Sequence, residues 1–153
     1  MKRIKICLAC SPGGHWHQLQ LAVGDIPKDY DCYWLTFKVK SAEVALRDKE
    51  HLFITDFQTD KKWTILINFI QSLFWLIVKR PNVVISTGAG VAVPTIFLAK
   101  RLLNAKIIYI VSAANVIECS RTPIWAEKYS DEFYVQWEEL KEIFPNAVNI
   151  GVL

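Results

Sequence analysis

The run Ile4-Lys5-Ile6-Cys7-Leu8-Ala9-Cys10-Ser11-Pro12-Gly13-Gly14-His15 decides how the chain is read. Its first seven positions are apolar apart from Lys5, without the polar alternation of a strand that faces water on one side. A strand buried on both faces of a parallel sheet fits that pattern. Ser-Pro-Gly-Gly then breaks the chain, and beyond His15 the apolar residues Leu19, Ala22 and Val23 return at helical spacing. The same alternation continues outward from this unit. Strands are predicted over 32–37, 51–55, 83–86, 106–111, 133–136 and 148–150, with helices over 42–47, 63–78, 90–103, 123–129 and 137–144 between them. Strands alternating with helices specify βαβ units, hence an α/β, Rossmann-like parallel sheet flanked by helices. With 153 residues and no internal repeat, residues 1–153 form a single domain of this kind.

Composition narrows the function. Apolar residues make up 52% and charged residues 22%, which excludes disorder and coiled coil. A net charge of +3 is too small to mark a nucleic-acid protein by itself. Six Trp and a mean hydropathy of +0.21 imply that some apolar surface is left exposed. Cys7 and Cys10 stand three apart in a strand and so point to opposite faces, which rules out a shared metal and reads both as buried thiols. The apolar stretch before Cys10 is shorter than the ~7–15 residues of an export signal, so the chain is expected to start at Met1 and to stay inside the cell.

Ligands of such sheets bind beyond the carboxyl ends of the strands, and two glycine loops are expected there. In Ser11-Pro12-Gly13-Gly14-His15 the glycines let backbone N–H groups approach an anion at a helix start, and His15 stands beside it, able to donate a hydrogen bond or take a proton. The second loop is Ser86-Thr87-Gly88-Ala89-Gly90. It is a poor dinucleotide fingerprint, because Val93 holds the third glycine position and no acidic residue follows the second strand to bind a ribose. Metal ligation is not expected, since His15 and His17 diverge on a helix. A serine hydrolase is excluded by the absence of a G-x-S-x-G elbow.

The helix over 63–78 carries a separate message. Thr64, Asn68, Gln71 and Ser72 fall within an arc of about 100°, and nearly all the remaining circumference is apolar. One stripe suffices to pack on a sheet, so a second greasy face needs a home. Deep burial, a protein partner or a bilayer surface would each provide it. Trp63, Phe74 and Trp75, with Lys61 and Lys62 at one end and Lys79 and Arg80 at the other, favour a helix lying in a bilayer surface. At ~24 Å it is shorter than the ~20 residues needed to cross.

With these residues in place a family resemblance can be stated. Ser11-Pro12-Gly13-Gly14-His15, then Pro81 to Gly90 (PNVVISTGAG), then Val135-Gln136-Trp137-Glu138-Glu139-Leu140 resemble the Alg-fourteen/PssD family over essentially the whole chain. The chain looks like a bacterial capsule or exopolysaccharide member, and its glycine loops are similar to those of MurG, a one-chain GT-B glycosyltransferase. The resemblance implies the N-terminal, acceptor-side half of a split GT-B enzyme. A separate donor-binding subunit of the Alg-thirteen/PssE type would hold the UDP-sugar, and no further cofactor is implied. The acceptor would be a polyprenyl-diphosphate-linked sugar at the cytoplasmic face of the cell membrane. The end at Leu153 agrees, since a one-chain enzyme would continue. Ser11, Gly13, Gly14, Thr87, Gly88 and Gly90 would line the acceptor and its phosphates, with His15 as hydrogen-bonding residue or base. Many relatives carry an acidic residue in the segment matching Ile110-Val111-Ser112. Val111 stands here, so that role is vacant or falls to Glu118. Two rivals to the split enzyme are a non-catalytic anchor that activates a partner and a stand-alone nucleotide-binding protein.

Overall fold

Seven strands form one parallel sheet in the computed structural model, which describes residues 3–58 and 60–153. The start at Met1, read above as unprocessed, lies outside these residues. In chain order the elements are β1 (Lys5–Cys10), α1 (Gly14–Val23), α2 (Ile26–Asp29), β2 (Asp31–Phe37), α3 (Lys40–Ala45), β3 (His51–Ile54), α4 (Lys62–Lys79), β4 (Val83–Gly88), α5 (Val93–Leu103), β5 (Lys106–Ile110), α6 (Arg121–Glu127), β6 (Glu132–Val135) and β7 (Val148–Asn149). The strand order is β3-β2-β1-β4-β5-β6-β7, with every neighbouring pair parallel.

β1 sits mid-sheet and feeds both cores. Ile6, Leu8 and Cys10 pack with Trp16, Leu19 and Trp34 under α1 and α3. Cys7 and Ala9 face the opposite core, with Leu76 of α4 and Ile96 of α5. Strand alternation thus separates the two thiols as expected. All four cysteines are free, and burial pushes Cys7 up to about 12 and Cys10 in the same direction.

Three elements differ from expectation. α2 is a single four-residue turn, too short to show periodicity. β4 runs on to Gly88, where a shift in register between Ala9 and Cys10 pairs Cys10 with Gly88. The helix expected over 137–144 is only a 3₁₀ segment, Glu138–Glu142. Trp137 stays extended there, and its indole N–H donates to the Ala113 carbonyl at 2.8 Å.

α4 is inverted relative to an ordinary surface helix. Its polar arc is the buried one: Thr64, Asn68 and Ser72 face inward together with Leu76. Trp63, Leu66, Ile70, Phe74, Ile77 and Val78 face out. The polar seam is satisfied throughout, as buried polar groups must be. Asn68 Nδ2 donates to the Thr55 carbonyl at 2.6 Å, the Ser72 hydroxyl donates to Asn68 Oδ1 at 3.2 Å, and Thr95 of α5 donates to Ser72 Oγ at 3.0 Å. Gln71 Oε1 accepts from the Thr55 N–H at 2.6 Å, and Thr64 Oγ1 accepts from the Gln58 N–H at 3.1 Å. The seam therefore holds the loop after β3. None of the described helices is long and apolar enough to cross a membrane.

This inversion makes a prediction. Asn68→Leu adds apolar surface yet leaves a buried carbonyl and hydroxyl unpaired, so it should lower stability by about 1–3 kcal/mol. Phe74→Ser removes apolar surface that is already wet and should stay within about 0.5 kcal/mol of wild type. Urea unfolding of the two variants checks this. The opposite ranking would mean that the greasy face, not the polar seam, holds the helix.

Candidate functional site

The chain leaves β3 through α4 and re-enters the sheet on the other side of β1. This puts the topological switch between β1 and β4, where the loops leaving the two carboxyl ends diverge and open a crevice. The two glycine motifs are these loops.

They are clasped by two reciprocal hydrogen bonds. His15 Nδ1 lies 2.8 Å from the Thr87 carbonyl oxygen, and the Thr87 hydroxyl donates to the His15 carbonyl at 2.7 Å. A carbonyl oxygen only accepts, so Nδ1 carries the proton and the neutral ring keeps its lone pair on Nε2. Burial holds the imidazole pKa below its ordinary value, and the bond to Thr87 offsets part of that shift. His15 is thus a neutral base of fixed tautomer.

It faces a cavity of about 200 Å³ whose polar lining includes Thr87, Tyr109, Ser112, Asn115, Ser120 and Thr122. Apart from His15 itself the lining has no ionisable carboxylate or amine, only hydroxyls, a carboxamide and apolar groups. Gly88, between the lining residues Thr87 and Ala89, is buried against Tyr109. Its φ of +107° suits glycine, and a Cβ there would meet the Tyr109 hydroxyl at 2.5 Å and His15 Cε1 at 3.5 Å. Gly90 instead receives Phe57, whose Cδ1 would lie 2.7 Å from an added Cβ. It packs the second loop against the segment after β3. Gly13 has φ +89° and, like Gly14, open space where a side chain would stand, so the first loop offers its backbone uncovered beside half-buried Ser11.

The far wall, residues 111–115, is pinned from two sides. Gln136 Nε2 donates to the Val111 carbonyl at 2.9 Å, Gln18 Oε1 accepts from the Ala113 N–H at 3.2 Å, and Trp137 holds the Ala113 carbonyl. Glu118 is exposed on the following loop and does not line the cavity. The structure therefore does not bring it to His15. Among the described residues no group of three or more His, Cys, Asp and Glu is arranged to hold a metal ion.

Comparison with known proteins places this geometry. The family model described as "Oligosaccharide biosynthesis protein Alg14 like", the Alg-fourteen group of the resemblance, matches residues 57–153. The chain belongs to this family. The Alg14-like match takes in the second glycine loop and the Gln136-Trp137 motif, while the His15 loop lies outside it. The UDP-N-acetylglucosamine transferase subunit ALG14 of Candida albicans is 36% identical over 95 residues, covering 59% of this chain and 43% of that protein. The subunit from Schizosaccharomyces pombe is 33% identical over 95 residues, covering 60% and 45%. These matches span less than half the length of the curated relatives. Among solved structures, MurG of Acinetobacter baumannii superposes with a TM-score of 0.71 at 16% identity, covering 89% of this chain and 42% of that one. A UDP-N-acetylglucosamine 2-epimerase from Rickettsia bellii gives 0.71 at 12% identity, covering 95% and 43%. At such identities these two show the fold alone, that of a GT-B half.

The residues expected at a bilayer divide in the Alg14-like structure. Trp63 and Phe74 project outward, and Arg80 is exposed with its Nε donating to the Ile77 carbonyl. Trp75 turns inward instead, half-buried against the core with its ring edge-on to Phe74. Lys79 is paired with Glu50 and lies over the Tyr33 ring, so it is not a free end cation. Pattern reading missed Tyr109, Gln18 and Gln136 as parts of the site. Tyr109 is hidden in an apolar strand, and the glutamines act through partners distant in sequence.

The His15 environment predicts a titration. Its folded pKa lies below the ordinary imidazole value of about 6.5, so on acidification the unfolded chain takes up this proton before the folded one. His15 should therefore contribute a loss of stability as pH falls below about 6.5. Ring-proton NMR should give His15 a midpoint below 6.5. A midpoint at or above that value would contradict the buried, neutral imidazole.

Proposed function

We propose that this chain is the acceptor-binding subunit of a two-subunit inverting glycosyltransferase, which moves a sugar from a UDP-sugar to a polyprenyl-diphosphate-linked sugar. The observation that carries the reading is the tautomer-fixed His15 facing a neutral, hydroxyl-rich cavity at the switch point of a GT-B half. The names of the fungal relatives support UDP-N-acetylglucosamine as the donor and subunit status for this chain. The subunit names of the fungal relatives, together with the motif resemblance, support assigning the donor pocket to a partner of the Alg-thirteen/PssE type. A capsule or exopolysaccharide as the final product rests on the motif resemblance and is part of the proposal.

In this mechanism the acceptor hydroxyl gives its proton to His15 Nε2 while its oxygen forms the bond to the anomeric carbon. The bond from that carbon to the UDP oxygen breaks, the electron pair leaves with UDP, and the configuration inverts. The Nδ1–H bond to Thr87 keeps the ring in line and steadies the imidazolium that forms. The open backbone of Gly13 and Gly14 at the start of α1 receives the diphosphate of the acceptor. The purified chain alone should transfer no sugar, and adding the donor-binding subunit should restore turnover. In that complex His15→Ala should lower turnover by roughly 10²-fold or more with pairing intact. Full turnover by the single chain would remove the split-enzyme reading, and an active His15→Ala complex would leave the chain as an anchor and acceptor holder.

The outer face of α4 is assigned to the cytoplasmic surface of the membrane. It presents apolar residues between Lys61 and Lys62 at one end and Arg80 at the other, an arrangement suited to a helix lying in the headgroup region. Replacing Lys61, Lys62 and Arg80 by Glu should weaken binding to anionic vesicles by about 1 kcal/mol per removed cation, plus repulsion. Flotation checks this, and wild-type protein that fails to float, with or without the partner, would show that this face is not a lipid contact.

A further inference from the structure

The clasp leaves one polar group on a buried residue of the cavity without a use. Tyr109 is 1% exposed, and its ring is locked in place by stacking on Phe133 with centroids 5.4 Å apart and planes 7° from parallel. Tyr109 lines the cavity, and its hydroxyl and His15 Cε1 lie 2.5 Å and 3.5 Å from the place a Gly88 Cβ would take. Thr87, Ser112 and Asn115 all hydrogen-bond within the neighbouring loops, and Ser120 is open to water and Thr122 partly so, whereas the Tyr109 hydroxyl, on a buried residue, engages no described donor or acceptor. A buried hydroxyl normally finds a partner. Here Gly88, by lacking a side chain, leaves room for the hydroxyl without satisfying it.

We propose that Tyr109 is an acceptor-binding residue, whose phenolic O–H donates to a ring-hydroxyl oxygen of the acceptor sugar and holds that sugar against His15 Nε2. This rests on the glycosyltransferase reading above. The side chains of the lining favour the sugar over the diphosphate: none is a lysine or arginine, and the one imidazole is held toward its neutral form by burial. A neutral polyhydroxylated ring fits the hydroxyls and carboxamide that are there. Burial raises the phenol pKa far above its ordinary value, so Tyr109 stays a donor throughout the pH range in which His15 is neutral.

The test is Tyr109→Phe, which removes one oxygen and keeps the stacked ring. In the complex with the donor-binding subunit, KM for a short-chain polyprenyl-diphosphate-linked N-acetylglucosamine should rise roughly 3- to 10-fold. KM for the UDP-sugar should not change, and thermal stability should be equal to or above wild type because no protein partner is lost. An unchanged acceptor KM, a rise confined to the donor KM, or a destabilised variant would each overturn the proposal. A wild-type complex without activity would refute the transferase reading instead. Tyr109 would then be decided by titrating the same acceptor analogue into wild type and variant and following the His15 ring proton: equal affinity, or no binding to either, overturns the assignment, and weaker binding to the variant sustains it.

Discussion

Two hydrogen bonds between His15 and Thr87, made in opposite directions across the gap between β1 and β4, hold the site together. Each residue gives one bond and receives the other, so neither loop shifts without breaking both. The pair fixes the tautomer of His15, sets where its free nitrogen points and ties the start of α1 to the end of β4. The register shift opposite Cys10 fits Thr87 into β4 as an extra residue, so that Gly88 and not Thr87 pairs with Cys10 at the edge of the sheet.

Around this clasp each side of the cleft has a different source of rigidity. The His15 side is held by α1, whose Gln18 also reaches across to the loop after β5. The opposite wall depends on Gln136, whose amide group binds the Val111 carbonyl while its oxygen accepts from the Leu153 N–H at 2.9 Å. One side chain thus joins the end of β5 to Leu153. The Val135-Gln136-Trp137 motif is in this light a bracket for the cavity wall and not a helix start.

Much of this was legible in the sequence, and the exceptions share a cause. The alternation of strands and helices and the two glycine breaks are local patterns, and both appear in the structure close to their expected positions. The polar arc of α4 was equally visible in its spacing. Its inward direction was not, because the partners that make burial tolerable are the Thr55 carbonyl and the side chain of Thr95, which periodicity does not reveal. Lys79 read as a free cation because Glu50 lies 29 positions away. Tyr109 falls inside the strand predicted over 106–111, where spacing does not mark the one oxygen that belongs to the site. Where function rests on a single atom or on a long-range hydrogen bond, residue type and spacing carry little trace of it.

Phe57 gives the inverted helix a reach beyond its own surface. The polar seam of α4 grips residues 55–58, and Phe57 in that segment is seated against Gly90 of the second glycine loop. Helix, segment and loop therefore behave as one strut. Whatever surface takes up the outer face of α4 also sets the altitude of the crevice above it. On the proposed placement of that face at a membrane, the distance from membrane plane to the nitrogen of His15 would be a dimension built into the protein, like the throw of a lever, and not one a lipid-tethered substrate must find by diffusion.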